Sequence, residues 1–309
     1  MRKVFFTLAA LMVCAASVMA DCPTPATATA TVTLKRKVTG ALDGNFTVDG
    51  SGTKVTFSSG NLQYNSDEQK WQFAAKQYTY VGNVAGNTNI TATGKNNSTG
   101  IADLFGWVGA SSTWTGLAEN GLSSSTTTNA TDGYGNNASE ALKSDWGTLM
   151  GTGWFTLSTT QWQYLFNTRS GATVNGTANA RYTEATINTD GTGVNGIILF
   201  PDDFDVSGTD GATTWGTING GSAWGTKLTT AQWNSFEEAG CVFLPAAGYR
   251  YGTSVSNAGS DGYYWSSSPS PSNVNIACYV YFNSGDVGPA DTYGGRSFGY
   301  SVRLVRLAE

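Results

Sequence analysis

The chain has 309 residues, with 17 Lys or Arg against 22 Asp or Glu, a formal charge of −5 and no histidine. The missing imidazole excludes His-based acid/base catalysis, Ser-His-Asp and Cys-His nucleophiles, and nearly all zinc, copper and non-haem iron sites. Only 13% of residues are charged, and no basic patch is available to meet phosphates, so neither nucleic acid nor an anionic membrane surface is an expected partner.

The chain opens MRKVFFTLAALMVCAASVMA. Arg2 and Lys3 precede a short apolar run and a small-residue cleavage pattern, which reads as a secretory signal peptide over 1–20. Cys22 raises lipid anchoring as an alternative, but Asp21 stands where a small residue would be needed, so ordinary cleavage is expected. No later stretch is long and apolar enough to span a bilayer. Residues 21–45, rich in Pro, Ala and Thr, read as a low-complexity tether.

From Phe46 the pattern becomes β-prone. TKVTF, LQY, KWQFA and YTYVG are short runs separated by turn residues, which predicts an N-terminal β-meander over 46–85. GIADLFGW and SEALKSDWG read as short helical or turn segments on either side of an exposed Ser/Thr/Asn-rich loop over 111–138.

Two later segments echo each other, LSTTQWQYLFNTRSG from Leu157 and LTTAQWNSFEEAG from Leu228. Ser158 with Gln161 and Thr229 with Gln232 form capping boxes, while Leu157 with Trp162 and Leu228 with Trp233 have the spacing of hydrophobic staples. Trp162, Leu165 and Phe166 share a helical face, as do Trp233 and Phe236, so both tryptophans are expected in the core. Gly171 and Gly240 are the expected stops. Strands follow at NGIILFPDDF, CVFLPAAGYR, GYYWSSS, ACYVYF and SVRLVR. The class is therefore α+β and β-rich. It should be one domain over 46–309, with two short amphipathic helices packed on a mostly antiparallel central sheet and many long loops.

Several of these segments carry a family resemblance. LSTTQWQYLFNTRSG resembles the tryptophan helix of formylglycine-generating-enzyme-type domains, a branch of the C-type-lectin-like fold, and YGGRSFGYSVRLVR is similar to the strand that ends them. GYYWSSS ahead of that strand resembles secreted Bacteroidetes and Fibrobacter paralogues and the C-terminal variable regions of retroelement-diversified proteins. VTFSSGNLQYN, KWQFA and IADLFGW are similar to the front of the same surface-protein group, so the resemblance spans about 46–309. It implies a C-type-lectin-like domain on a secreted or outer-surface bacterial protein. Oxidases of the superfamily use paired reactive cysteines and copper, and related sulfoxide synthases use histidines and iron. With no histidine here, the fold carries over and the enzymatic activity does not.

The expected site is the C-terminal surface, where Tyr, Ser, Asn and Asp are dense. Its candidate ligand-binding residues are Tyr251, Ser254, Tyr263, Asn273 and Asn275, continuing through Asn283, Asp286, Asp291, Tyr293 and Arg296. Rigid aromatics among small hydrogen-bonding residues are the mixture that paratopes use. The expected function is adhesin-like recognition of an extracellular protein or glycan, without catalysis. A tip or structural subunit of a surface fibre is one alternative, and a thiol oxidase built on Cys241 and Cys278 is another. Those two cysteines lie in apolar runs, where either a disulfide or two buried free thiols would fit. No cofactor is required, although Asp202, Asp203 and Asp205 in FPDDFDV raise a calcium site against the plainer reading of a solvated turn.

Overall fold

The computed structural model describes residues 39–90, 99–107, 121–122, 124–126, 145–205 and 213–309. The signal peptide, Cys22, most of the tether and most of the 111–138 loop lie outside these residues.

The described chain begins with β1 (Phe46–Thr47), β2 (Lys54–Phe57), β3 (Leu62–Asn65) and β4 (Lys70–Phe73), then a single helical turn, α1 (Ala85–Thr88), and β5 (Ile101–Ala102). A 3-10 turn over Trp146–Met150 leads into β6 (Trp154–Thr156), α2 (Thr159–Asn167), β7 (Tyr182–Thr189), β8 (Thr192–Leu199) and β9 (Thr226–Thr229). After α3 (Thr230–Glu238) come β10 (Val242–Pro245), β11 (Tyr249–Tyr251) and β12 (Ser254–Ser256), then β13 (Gly262–Pro269), β14 (Ile276–Phe282), β15 (Val287–Gly295) and β16 (Leu304–Leu307).

The structure is β-rich and mostly antiparallel, and among the described residues its strands are divided among several sheets and not gathered into one central sheet. The described strands form sheets in the orders β1-β2-β16-β6, β10-β8-β7-β9, β4-β3-β5, β11-β12 and β13-β14-β15. Among the named strand pairs only β7 with β9 is parallel. The predicted meander is therefore split: β1 and β2 join the C-terminal β16, where Val305 faces Phe57, while β3 and β4 pair in another sheet. YTYVG is not a strand, and GIADLFGW supplies β5, followed by a bridge from Phe105 to Tyr300. The tether ends earlier than its composition implies. Ala41 already bridges Ser58, and the Leu42 N–H donates to the Phe57 carbonyl at 2.8 Å, because β1 pairs only with Lys54 and Val55 and leaves the far end of β2 open on that side.

Both longer helices form as their local chemistry dictates. In α2 the Ser158 N–H donates to Gln161 Oε1 at 2.9 Å, and the Gln161 N–H donates back to Ser158 Oγ at 3.3 Å. In α3 the same exchange links Thr229 and Gln232 at 2.8 and 3.2 Å. Gly240 follows α3 with φ +87°, a conformation suited to glycine. Gly171 does not stop α2, which ends at Asn167. Gly171 instead meets the chain after the loop, where a Cβ would stand 2.5 Å from the Ala180 carbonyl oxygen.

The helices serve separate cores. Trp162, Leu165 and Phe166 of α2 are buried with Phe46, Phe57, Tyr264, Val280 and Phe282, and α2 packs on the β13–β15 sheet. Trp233 and Phe236 of α3 are buried with Ile198, Phe200, Phe204, Cys241 and Phe243, and α3 packs on β7 and β9. Burial of such aromatic side chains supplies most of the driving force for docking each helix.

The outer edge of β10 is closed by side chains, chiefly that of Gln77, with Arg303 Nη1 donating to the Phe243 carbonyl at 3.4 Å. The Phe243 N–H donates to Gln77 Oε1 at 2.9 Å, and Gln77 Nε2 donates to the Cys241 carbonyl at 3.1 Å and to Glu237 Oε1 at 3.0 Å. Buried Arg303 holds the amide from the other side, with Nη2 donating to Gln77 Oε1.

Candidate functional site

The sheet β13-β14-β15 organises the C-terminal surface. Antiparallel pairing sets Tyr263 opposite Tyr281, Tyr264 opposite Val280, Trp265 opposite Tyr279, and Tyr279 opposite Asp291. Side chains alternate across a strand, so Tyr263, Trp265, Tyr279 and Tyr281 share one face, while Tyr264, Val280 and Phe282 share the other. The second face enters the α2 core. There the Tyr264 hydroxyl accepts from Asn61 Nδ2 at 3.0 Å and donates to the Pro245 carbonyl at 2.9 Å. Tyr264 and Trp265 are both fully buried, because each face of the strand is covered.

The first face is a cluster of rings. Tyr263 lies with its centroid 4.9 Å from Tyr300, 5.1 Å from Tyr281 and 5.2 Å from Tyr249. Trp265 packs 4.2 Å from Tyr300 beneath them, and its indole N–H donates to the Phe105 carbonyl at 2.6 Å. Tyr249 continues the cluster to Phe298 at 5.8 Å, and Phe298 meets Tyr251 edge-on at 5.2 Å. Such tilted and edge-to-face pairs add stability beyond area burial, on the order of 0.5–1.5 kcal/mol each.

The rim is polar. The Tyr263 hydroxyl donates to Asp261 Oδ2 at 3.2 Å, and Asn283 Nδ2 donates to the Tyr281 hydroxyl at 2.7 Å. Burial raises the Tyr263, Tyr279, Tyr281 and Tyr300 phenols above the ordinary tyrosine range, and neighbouring carboxylates raise them further. All four therefore stay protonated at neutral pH and keep their hydroxyls as donors. Beside the cluster, Tyr249, Tyr251, Phe298, Asn275, Ser297 and Thr126 line a shallow groove of about 640 Å³, with Ile276 and Gly295 completing its wall.

Most of the predicted residues reach this surface in three groups. Tyr251 and Asn275 line the groove, and Ser254 faces Tyr251 across the β11–β12 hairpin. Tyr263 and Asp291 belong to the ring face. Asn283 and Asp286 build the β14–β15 turn, where Asn283 Oδ1 accepts from the N–H groups of Gly285 at 2.9 Å and Asp286 at 3.0 Å. Asn273 is exposed in the connection before β14, where its Oδ1 accepts from the Asn275 N–H at 2.9 Å. Tyr293 projects into solvent at 81% exposure.

Arg296 does not belong to the surface. It is fully buried, its guanidinium lies 4.5 Å from the centre of the Trp107 ring, and its Nε donates to the Ile276 carbonyl at 3.1 Å. The planar guanidinium stacks on the indole while its donors reach backbone oxygen, which makes an inward position favourable. Sequence reasoning also missed the burial of Arg169, Arg250 and Arg303. Their partners are largely backbone carbonyls, some near and some distant in the chain, which leave no local charge pattern.

In the FPDDFDV turn raised for calcium, Asp202 is engaged by protein donors. Arg169 Nη1 donates to Asp202 Oδ1 at 2.8 Å, and Thr47 donates to Asp202 Oδ2 from its N–H at 2.9 Å and its hydroxyl at 2.6 Å. Both Asp202 oxygens are occupied by protein donors, while Asp203 and Asp205 are exposed. Among the described residues no group of three or more His, Cys, Asp or Glu side chains is placed to hold a cation.

Cys241 and Cys278 are free and buried, so the disulfide alternative is not realised. Cys241 sits in the α3 core, whereas Cys278 lies on β14 and its Sγ approaches the Pro269 carbonyl at 3.5 Å. Burial pushes both thiols up, away from the thiolate a reactive pair requires.

One strongly perturbed carboxylate lies off the ring face. Asp103 is fully buried and accepts from the Val81 N–H at 2.7 Å and from Asn87 Nδ2 at 2.8 Å, while its own N–H donates to Asn87 Oδ1 at 3.0 Å. Burial pushes it up to about 6. This reciprocal clamp ties α1 to β5 and is structural.

Among the described residues no helix is long and apolar enough to cross a membrane. A domain of unknown function, DUF8237, matches residues 227–305, a span from β9 into β16 that contains α3 and the whole ring face. No curated protein and no solved structure matches the chain.

Proposed function

We propose that the chain is a secreted or cell-surface ligand-binding protein that recognises an extracellular protein or glycan through its C-terminal face. We assign its domain to the C-type-lectin-like fold of the formylglycine-generating type. The observation that carries the functional reading is the ring face of β13–β15. There a rigid aromatic floor continues into an open groove, rimmed by Asn, Asp and Ser side chains. Aromatic rings held by their neighbours lose little entropy on binding, and hydroxyl and amide groups around them supply direction. The protonated state of its phenols and the burial of Cys278 support reading this face as one for binding.

The test uses the two most exposed tyrosines among the described residues, Tyr251 at 45% and Tyr293 at 81% exposure. Replacing both by alanine is expected to abolish binding to a glycan array or to intact cells. The melting temperature should move by no more than about 2 °C, because surface substitutions of this kind cost within about 0.5 kcal/mol. Undiminished binding by the double variant would place the site elsewhere.

A further inference from the structure

The ring face has a sign as well as a shape. The charged side chains acting on its phenols are carboxylates: Asp261 on Tyr263, Asp291 on Tyr279 and Tyr300, and Asp261, Asp286 and Asp291 together on Tyr281. No lysine occurs after Lys227, so the cationic side chains of this region are arginines. Arg250 and Arg296, the two nearest in sequence to the face, are fully buried and turn their donors to backbone, Arg250 Nη1 to the Gly252 carbonyl at 2.9 Å and Arg296 Nε to that of Ile276 at 3.1 Å. Arg303 is buried in the Gln77 hub, and Arg306 leans over Trp154. Among the described residues of this C-terminal segment, the outer surface therefore presents anions and ring faces with no fully exposed cation between them.

The ring geometry matches that charge. Tyr249 stands at 70° and Tyr281 at 50° to the Tyr263 ring, all within 5.2 Å between centroids, so the half-exposed Tyr263 has walls inclined on two sides. A ring face carries negative electrostatic potential, and inclined rings with a nearby carboxylate are the arrangement that attracts a soft organic cation. We propose that this face takes an alkylammonium group, seated against Tyr263 and Tyr281 with Asp291 and Asp261 as counter-ions. The proposal rests on the reading of this face as the binding surface and names its ligand chemistry. The contribution of the rings is a preference for cation over neutral isostere, since shape and apolar area alone would treat the two alike.

The full chain is titrated by calorimetry with choline, with Nα-acetyl-lysine methylamide and with 3,3-dimethylbutan-1-ol, the uncharged isostere of choline, at fixed ionic strength. Choline or the lysine amide is expected to bind at least about tenfold more tightly than the neutral alcohol. The preferred one of the pair identifies a quaternary headgroup or a lysine side chain as the source. Tyr281→Leu and, as a milder change, Asp291→Asn are each expected to weaken that cation by about tenfold. Equal binding of the alcohol overturns the proposal. So does failure of both cations on a chain that still binds a glycan or protein through Tyr251 and Tyr293, and that result leaves the broader reading of the face standing. If the chain binds neither cations, glycans nor cells, both readings fall together.

Discussion

Tyr263 and Tyr264 are adjacent on β13, yet the faces they serve are built differently. Tyr264 is fully buried, with both hydrogen-bonding capacities of its hydroxyl met by Asn61 and Pro245, and its ring lies 6.0 Å from Phe282. Tyr263 is only half-buried, and its hydroxyl goes to a carboxylate at the solvent boundary. On the core face the Tyr264 tip is held by two internal partners, which fixes the packing of its ring. On the ring face the rings support one another laterally while their outer edges remain available. Aromatic content therefore says little about role until the polar tips are traced.

Two neighbours on β14 test this contrast most sharply. Phe282→Ala, on the core face, should cost about 3–5 kcal/mol in urea unfolding, the range for emptying a buried aromatic site. Tyr281→Ala, one residue away on the ring face, should cost only about 1 kcal/mol, the scale of a cross-strand aromatic pair. Equal losses would mean that both faces are core. Between these extremes lies a pH effect. Asp103 has its folded-state value raised to about 6 from 3.8, so the folded protein holds this proton more tightly than the unfolded chain. The stability supplied is complete below 3.8 and lost as pH rises through about 6. Unfolding free energy should fall by up to about 3 kcal/mol between about pH 4 and pH 7, and Asp103→Asn should remove that slope. A slope unchanged in the variant would assign it to other groups.

What could be read in the sequence was what is local. The two capping boxes, the burial of Trp162, Trp233 and Trp265, and most strands of the C-terminal half follow from spacing within a dozen residues. The partition of strands among sheets does not, because β16 reaches back to β2 across most of the described chain. The same distance hid the role of Asp202, whose partners Arg169 and Thr47 lie 33 and 155 positions away. Arg296 was misplaced because a charged residue in a Gly- and Tyr-rich run scores as surface, whereas its stacking partner Trp107 comes from the other end of the domain. The ring face was legible as composition alone. Its geometry needed the register of β13 on β14.

Gln77 carries a consequence of a different kind. A strand edge with free N–H and C=O groups is a template on which another chain can add, and β10 would offer one made of Val, Phe and Leu. The Gln77 amide satisfies a donor and an acceptor there as a neighbouring strand would, yet it has no backbone through which the ladder could continue. The Gln77 amide, clamped by Arg303 and Glu237 and joined by Arg303 on the Phe243 carbonyl, thus ends the sheet where a further strand would otherwise add.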